Sequence, residues 1–237
     1  MRAFIAGATG YSGRELVGVL RERGHQVAAH VRPDSPSLAR WRSQFGTLGA
    51  EVDATPWQPA AMAATLERLQ PTHVFALLGT TRHRMKAEGA EANSYETVDY
   101  GLTALLLRAA RTAAPAARFI YLSALGASER GSAYLRVRGR IERELRESGL
   151  SWIAARPAFV TGEDRAERRP IELASARVTD ALLHAFAALG VRDPARRYSS
   201  LSGAALARGL ATLAEDAPDG IYDAAALREA AERLSRR

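Results

Sequence analysis

Short apolar runs of the kind that form buried strands alternate along this chain with longer segments whose apolar residues recur every three to four positions. The pattern predicts strands at 2–6, 26–31, 51–53, 73–78, 118–122 and 151–155. Helices are predicted at 14–23, 60–69, 90–113 and 133–147, with Gly24, Pro71 and Gly149 as stop signals. Strands separated by helices of this length indicate parallel βαβ units, so the expected fold is an α/β doubly wound parallel sheet. After about residue 160 the pattern loosens into an arginine-rich loop near 163–170 and helical stretches near 174–189, 203–215 and 224–236. No repeat or linker divides the chain, which reads as one domain over 1–237 with a small C-terminal cap.

Composition narrows the chemistry. The charged fraction of 25% and hydrophobic fraction of 47% are ordinary for a globular protein. The net charge of +7 is carried almost wholly by arginine, Lys86 being the only lysine. These arginines are spread along the whole chain, whereas a nucleic-acid surface needs clustered charge, so no nucleic-acid partner is expected. Cysteine is absent, which removes disulfides, thiolate nucleophiles and Cys-ligated metals. No apolar run approaches a membrane span, and Arg2 is followed by a short strand rather than a leader. No membrane association and a cytoplasmic location are the expectations.

The first strand runs directly into Gly7-Ala8-Thr9-Gly10-Tyr11-Ser12-Gly13, which opens the first helix. Glycines at such points allow a tight turn, close backbone approach to a pyrophosphate and close helix–strand packing. The helix N-terminus adds unbonded N–H groups and a dipole that favours phosphate. In the first strand–turn–helix of an alternating chain this is the mark of a Rossmann-type dinucleotide site, although its G-x-x-G-x-x-G spacing differs from the usual G-x-G-x-x-G. The end of the second strand should meet the adenosine ribose. An acid there selects NAD, whereas an arginine accommodates the 2′-phosphate of NADP. The strand ends Val31-Arg32-Pro33, and Arg14 in the first helical turn could close on the same phosphate. NADP, as NADPH, is therefore the expected cofactor. His25 and His30, flanking this strand, read as packing or surface residues.

Taken in order, Gly7–Gly13, Arg32, Leu78-Gly79-Thr80-Thr81-Arg82, Leu122-Ser123, Tyr134-Leu135-Arg136-Val137-Arg138-Gly139 and Arg156-Pro157 resemble a known group. The chain looks like an atypical short-chain dehydrogenase/reductase of the NAD(P)H-binding, NmrA-like kind, most similar to the Tat-interacting-protein-like oxidoreductases. The resemblance covers roughly residues 1–165. It implies that Gly7, Thr9, Gly10, Tyr11, Ser12 and Gly13 line the pyrophosphate, that Arg32 holds the 2′-phosphate and that Asp53 meets the adenine edge. It implies further that Leu78, Gly79, Thr80 and Thr81 sit beside the ribose and nicotinamide, and that Pro157, Ala158 and Val160 offer backbone to the carboxamide. Arg82 and His83 would face the substrate mouth. Residues up to about 160 then form the cofactor-binding core, and about 161–237 a substrate-side cap.

Reductases of this kind use a tyrosine as proton donor and a lysine four residues on that binds the ribose. The tyrosine here is Tyr134, and positions i and i+4 of a helix share a face, but residue 138 is Arg. Its charge still favours the tyrosinate, while its planar, permanently protonated fork puts the ribose contact and any proton relay in question. If Arg138 takes the lysine's place, Arg138→Lys should preserve or raise activity. Ser123 is the expected partner serine, although relatives commonly carry a second serine where this chain has Ala124; Ser128 and Ser132 are weaker candidates. Asp99 and Tyr100 on the long helix read as structural.

The five histidines (25, 30, 73, 83 and 184) show no metal-ligand spacing, so no metal is expected. Semialdehyde dehydrogenases, which share a similar glycine turn, need the missing cysteine, and no P-loop is present. Two readings remain: an NADPH-dependent oxidoreductase acting on a small-molecule carbonyl, or a non-catalytic NADP(H)-binding redox sensor that touches a protein partner.

Overall fold

The computed structural model describes residues 1–79, 95–158, 160–161 and 200–233. Seven parallel strands form the central sheet in the order β3-β2-β1-β4-β5-β6-β9. They are β1 Arg2–Ala6, β2 Gln26–His30, β3 Glu51–Asp53, β4 His73–Ala76, β5 Arg118–Leu122, β6 Trp152–Arg156 and β9 Gly220–Asp223. A separate parallel pair joins β7 Val160–Thr161 to β8 Leu201–Ser202. Helices α1 Tyr11–Glu22, α2 Leu38–Thr47, α3 Pro59–Leu69, α4 Thr103–Ala113, α5 Ala133–Arg146, α6 Gly203–Asp216 and α7 Ala224–Arg233 cover the two faces. The doubly wound Rossmann sheet is thus the expected fold class. A π-helix over Tyr95–Leu102 leads into α4, a departure from the uniform helix that periodicity predicts over this stretch.

Both faces of the sheet are sealed because β1, β4 and β5 are apolar on each side. One core packs Ile5, Phe75, Ile120 and Ile153 against α1, α6 and α7; the other packs Phe4, Val74, Phe119 and Tyr121 against α3, α4 and α5. The C-terminal helices α6 and α7 cap the first face, with α6 lying along α1. The far end of that contact is tied by Arg23 to Glu215 at 3.2 Å. Between the two helices, β9 adds the edge strand of the sheet, paired in register Ile153↔Gly220 to Arg156↔Asp223. The stretches near 163–170 and 174–189 lie outside the described residues.

Four elements escaped the sequence reading: helix α2, strand β9 and the two-residue strands β7 and β8. Helix α2 buries only Trp41 and Phe45, one turn apart, too few apolar positions to stand out. Strand β9 is four residues long and contributes no fully buried side chain.

Candidate functional site

All strands of the main sheet run the same way, so their carboxyl ends form one edge, where loops from several strands converge. The glycine turn leaves β1 there. Gly7 adopts φ +87°, and a Cβ at that position would lie 2.5 Å from the Leu77 carbonyl oxygen just beyond β4. A Cβ on Gly13 would lie 2.2 Å from the Gly7 carbonyl oxygen and 2.8 Å from Ala8 Cα, so α1 meets the turn with no room for a side chain. Gly10 donates its N–H to the Gly7 carbonyl at 3.0 Å and caps α1 without any side-chain hydrogen bond. The first-turn N–H groups of α1 therefore keep their capacity for an anion, and no acidic residue stands in that turn. Arg14 does, and its Nε is buried with no hydrogen-bond partner.

At the next strand end, Arg32 is exposed and lies 3.8 Å from the Asp34 carboxylate, in an exposed pair too weak to hold the guanidinium. Asp53, which ends β3, is buried; its carboxylate accepts from Thr55 N–H at 3.1 Å and Thr55 Oγ1 at 2.9 Å. Ionised oxygens hold further lone pairs, so this does not use up its acceptor capacity. His30 lies behind it, hydrogen-bonded through Nε2 to the Thr55 carbonyl at 2.8 Å and meeting the Trp57 ring edge-on at 4.7 Å. Burial holds its pKa below the usual histidine value, against the smaller opposing effects of Thr55 and Asp53. His30 is a packing residue, as expected; His25 instead bridges the N-terminal ammonium at 3.0 Å and Glu215 at 2.8 Å, at the opposite edge of the sheet.

Tyr134, Arg138 and Glu142 lie on one face of α5, one turn apart. Arg138 is only 4% exposed. Its Nη1 donates to the Leu122 carbonyl at 2.7 Å and to Tyr121 Oη at 3.2 Å, and its Nη2 to Asp99 Oδ1 at 2.7 Å and the Leu78 carbonyl at 3.2 Å. One guanidinium thus joins the ends of β4 and β5, the π-helix and α5. Burial opposes its charge, but Tyr121, Tyr134 and Asp99 raise its pKa further, so it stays protonated. Burial pushes the Tyr121 phenol up to about 12. The guanidinium carbon sits 5.0 Å from the centroid of the half-buried Tyr134 ring, which also meets the Tyr95 ring at 5.5 Å. Arg138 Nε is buried and unbonded. Gly79 is close enough that a Cβ there would meet Arg138 Nη2 at 3.1 Å.

Ser123 closes β5 and is buried, with its hydroxyl donating to Glu142 Oε1 at 2.6 Å. Glu142 in turn accepts from Arg156 Nε at 2.8 Å, while Arg156 Nη2 also reaches the Ala127 carbonyl at 3.0 Å. Pro157 accepts the Leu125 N–H at 3.1 Å, which brings Pro157 and Ala158 beside the loop after Ser123; Val160 follows in β7. Thr80, Thr81, Arg82 and His83 lie outside the described residues. Of the buried carboxylates at the site, Asp99 was read from the sequence as structural and Glu142 was left out. Each carried a usable signal, since Asp99 shares a helical stripe with the buried Thr103, Leu106 and Ala110, and Glu142 falls beside Ile141 and Leu145. A carboxylate on an apolar stripe requires a buried partner.

The glycine cradle, the α1 terminus that no side chain caps, the orphaned Arg14 Nε and the exposed Arg32 fit a dinucleotide. Comparisons with known proteins agree. A family model described as NAD(P)H-binding matches residues 7–209. The mitochondrial protein fmp52 of Aspergillus clavatus is 30% identical over 223 residues, covering 91% of this chain and 90% of its own. The chloroplastic divinyl chlorophyllide a 8-vinyl-reductase of Zea mays is 32% identical over 166 residues, covering 65% of this chain and 39% of its own. Among solved structures, the fold is similar to that of the UDP-glucose 4-epimerase of Thermus thermophilus in complex with NAD, with a TM-score of 0.66, 16% identity, and coverage of 100% of this chain and 84% of that one. The fungal relatives are mitochondrial proteins, which overturns the cytoplasmic expectation. That expectation rested on a missing apolar span and leader, and neither observation identifies a compartment. Among the described residues, no helix is long and apolar enough to cross a membrane.

Proposed function

The chain belongs to the NAD(P)H-binding family, and from that premise we propose that it is an NADPH-dependent oxidoreductase of the atypical short-chain, NmrA-like type, most similar to the Tat-interacting-protein-like group, which reduces a small carbonyl compound. The observation that carries this reading is the stacking of Tyr134 on Arg138 at the β4 and β5 carboxyl ends, the same sheet edge as the glycine turn. Gly7, Thr9, Gly10, Tyr11, Ser12 and Gly13 would hold the pyrophosphate. Arg32, helped by Arg14, would hold the 2′-phosphate. Asp53 would border the adenine, Leu78, Gly79, Thr80 and Thr81 the ribose and nicotinamide, and Pro157, Ala158 and Val160 the carboxamide. The cofactor core is about 1–160, with about 161–237 shaping the substrate side.

When bound, the nicotinamide supplies the hydride. Tyr134 then gives its hydroxyl proton to the carbonyl oxygen, and Arg138 offsets the negative charge left on the phenolic oxygen. Ser123, at the end of β5, would orient the substrate carbonyl oxygen, and it donates there only by releasing Glu142. Tyr134→Phe should lower turnover by about 10²–10⁴-fold with NADPH affinity retained. Steady-state assays across a carbonyl panel, beside NADPH titrations, check this; undiminished turnover would remove Tyr134 from the chemistry.

The phosphate contact makes a second test. Arg32→Ala should weaken NADPH binding by about ten- to hundredfold and leave NADH binding nearly unchanged, the loss of one charge-assisted hydrogen bond. Calorimetric titration of both cofactors reads the difference. Equal affinities in the unmutated protein would overturn the preference for NADP. One observation favours the sensor reading, in which a protein partner replaces the substrate: every Nη donor of Arg138 is engaged within the protein, leaving Nε–H as its one open donor. Tight NADPH binding with no turnover on any carbonyl would decide for it.

A further inference from the structure

Gly203 opens α6, far along the chain from the glycine turn, yet it touches that turn. A Cβ built on Gly203 would lie 2.4 Å from Tyr11 Cε1, 2.7 Å from Cζ and 2.9 Å from the hydroxyl oxygen. Gly203 is buried, and it is not among the residues with positive φ. Its backbone would accept any residue, so the glycine answers a need for space. It also comes at a cost, because glycine is a poorer helix residue than alanine. The segment it belongs to is firmly seated. Leu201 is 2% exposed in the core, β8 pairs with β7 in the register Val160↔Leu201, and Ser202 caps α6 by accepting the Ala205 N–H at 3.1 Å. Arg228 of α7 donates to the Ser200 carbonyl at 2.9 Å. An added methyl therefore cannot be absorbed by a shift of this segment. The Tyr11 ring would have to move, and Tyr11 is the first residue of α1.

We propose that Gly203 is a positioning residue for the cofactor: the absent side chain seats the Tyr11 ring against α6 and thereby fixes the first-turn N–H groups of α1 that face the pyrophosphate. The same β8–α6 junction pairs with β7, which follows Pro157 and Ala158, so it braces the turn and the opposite end of the cofactor site together. This inference rests on the cofactor reading above. It adds a determinant that lies outside every glycine motif.

The test is a double-mutant cycle of Gly203→Ala and Tyr11→Leu, read by NADPH fluorescence titration and by thermal unfolding without cofactor. Leucine lacks the ring atoms that the new methyl would meet. Gly203→Ala alone should weaken NADPH binding by about tenfold or more. In the Tyr11→Leu background the same change should leave affinity where Tyr11→Leu set it, and raise the melting temperature through better helix propensity. Gly18→Ala serves as the control, since nothing lies within 4 Å of a Cβ there; it should leave affinity unchanged. Gly203→Ala with unaltered affinity would overturn the proposal, as would an equal loss in both backgrounds. If Gly203→Ala does not fold, a folded double variant supports the contact and an unfolded one overturns it. A wild-type chain that binds no NADPH overturns the cofactor reading and the positioning role with it, whereas the thermal cycle still reads the contact itself.

Discussion

Arg138→Ala is expected to lower the free energy of unfolding by about 3–5 kcal/mol, because it removes one partner of a buried ion pair. Asp99 is fully buried, and the Arg138 guanidinium pairs with it at 2.7 Å. The loss goes beyond the ion pair. The carbonyls of Leu78 and Leu122 and the Tyr121 hydroxyl lose their donor in the same step. Against a total stability of roughly 5–15 kcal/mol for an ordinary domain, this change is severe. Urea unfolding measures it as a drop in midpoint with an unchanged slope. Replacing both charges, as Asp99→Leu with Arg138→Met, should recover much of the loss, since exchanging a buried pair for apolar groups is often close to neutral. A double variant as unstable as the sum of its parts would show that the pair is not coupled. From the sequence alone, Arg138→Lys promises preserved or increased activity. The same change should cost about 1–2 kcal/mol of folding stability, because a single ammonium cannot span acceptors that the planar fork reaches from two nitrogens.

Gly13→Ala carries the second large effect, and it falls on the cofactor. The added Cβ would lie 2.2 Å from one backbone atom of the turn and 2.8 Å from another, and neither can rotate away. Helix α1 must then lift off β1, at about 1–3 kcal/mol or more of overpacking strain. Its first-turn N–H groups move with it. NADPH affinity should fall by at least about a hundredfold, as near-contact geometry at several donors is lost together. Fluorescence titration, beside circular dichroism to show that the chain remains folded, reads the result. Binding within a few-fold of the wild type would mean that the cofactor does not use this turn. Gly7→Ala should act in the same direction, with the positive φ adding to the crowding.

Much of the fold was legible because its signals are local. Strands β1, β3 and β5 begin and end where the apolar runs do, and α5 and α6 differ from their sequence expectation by one residue at an end. The parallel arrangement follows from helix-length connections between strands. What periodicity could not convey is the π-helix at 95–102, whose altered hydrogen-bond spacing leaves the same residue types in nearly the same order. The glycine turn was legible as a motif, since backbone crowding at Gly7 and Gly13 is set by residues within or beside the turn.

By itself, then, the sequence determined the α/β class, the place of the glycine turn, the arginine after β2 and the common helix face of Tyr134 and Arg138. Each follows from spacing within one or two elements. Only the tertiary structure decided what those side chains meet. Arg138, read as a substitute for lysine at a ribose, has four of its donors taken by groups from the loop after β4, from β5 and from the π-helix. Ser123 gives its hydrogen to Glu142, and Tyr11 lies against a glycine that follows it by most of the chain length. A buried charge takes whichever partner the packing brings within hydrogen-bond reach, because leaving it unpaired costs more than almost any local preference can offset. That choice is made between elements distant in sequence, where no local pattern records it.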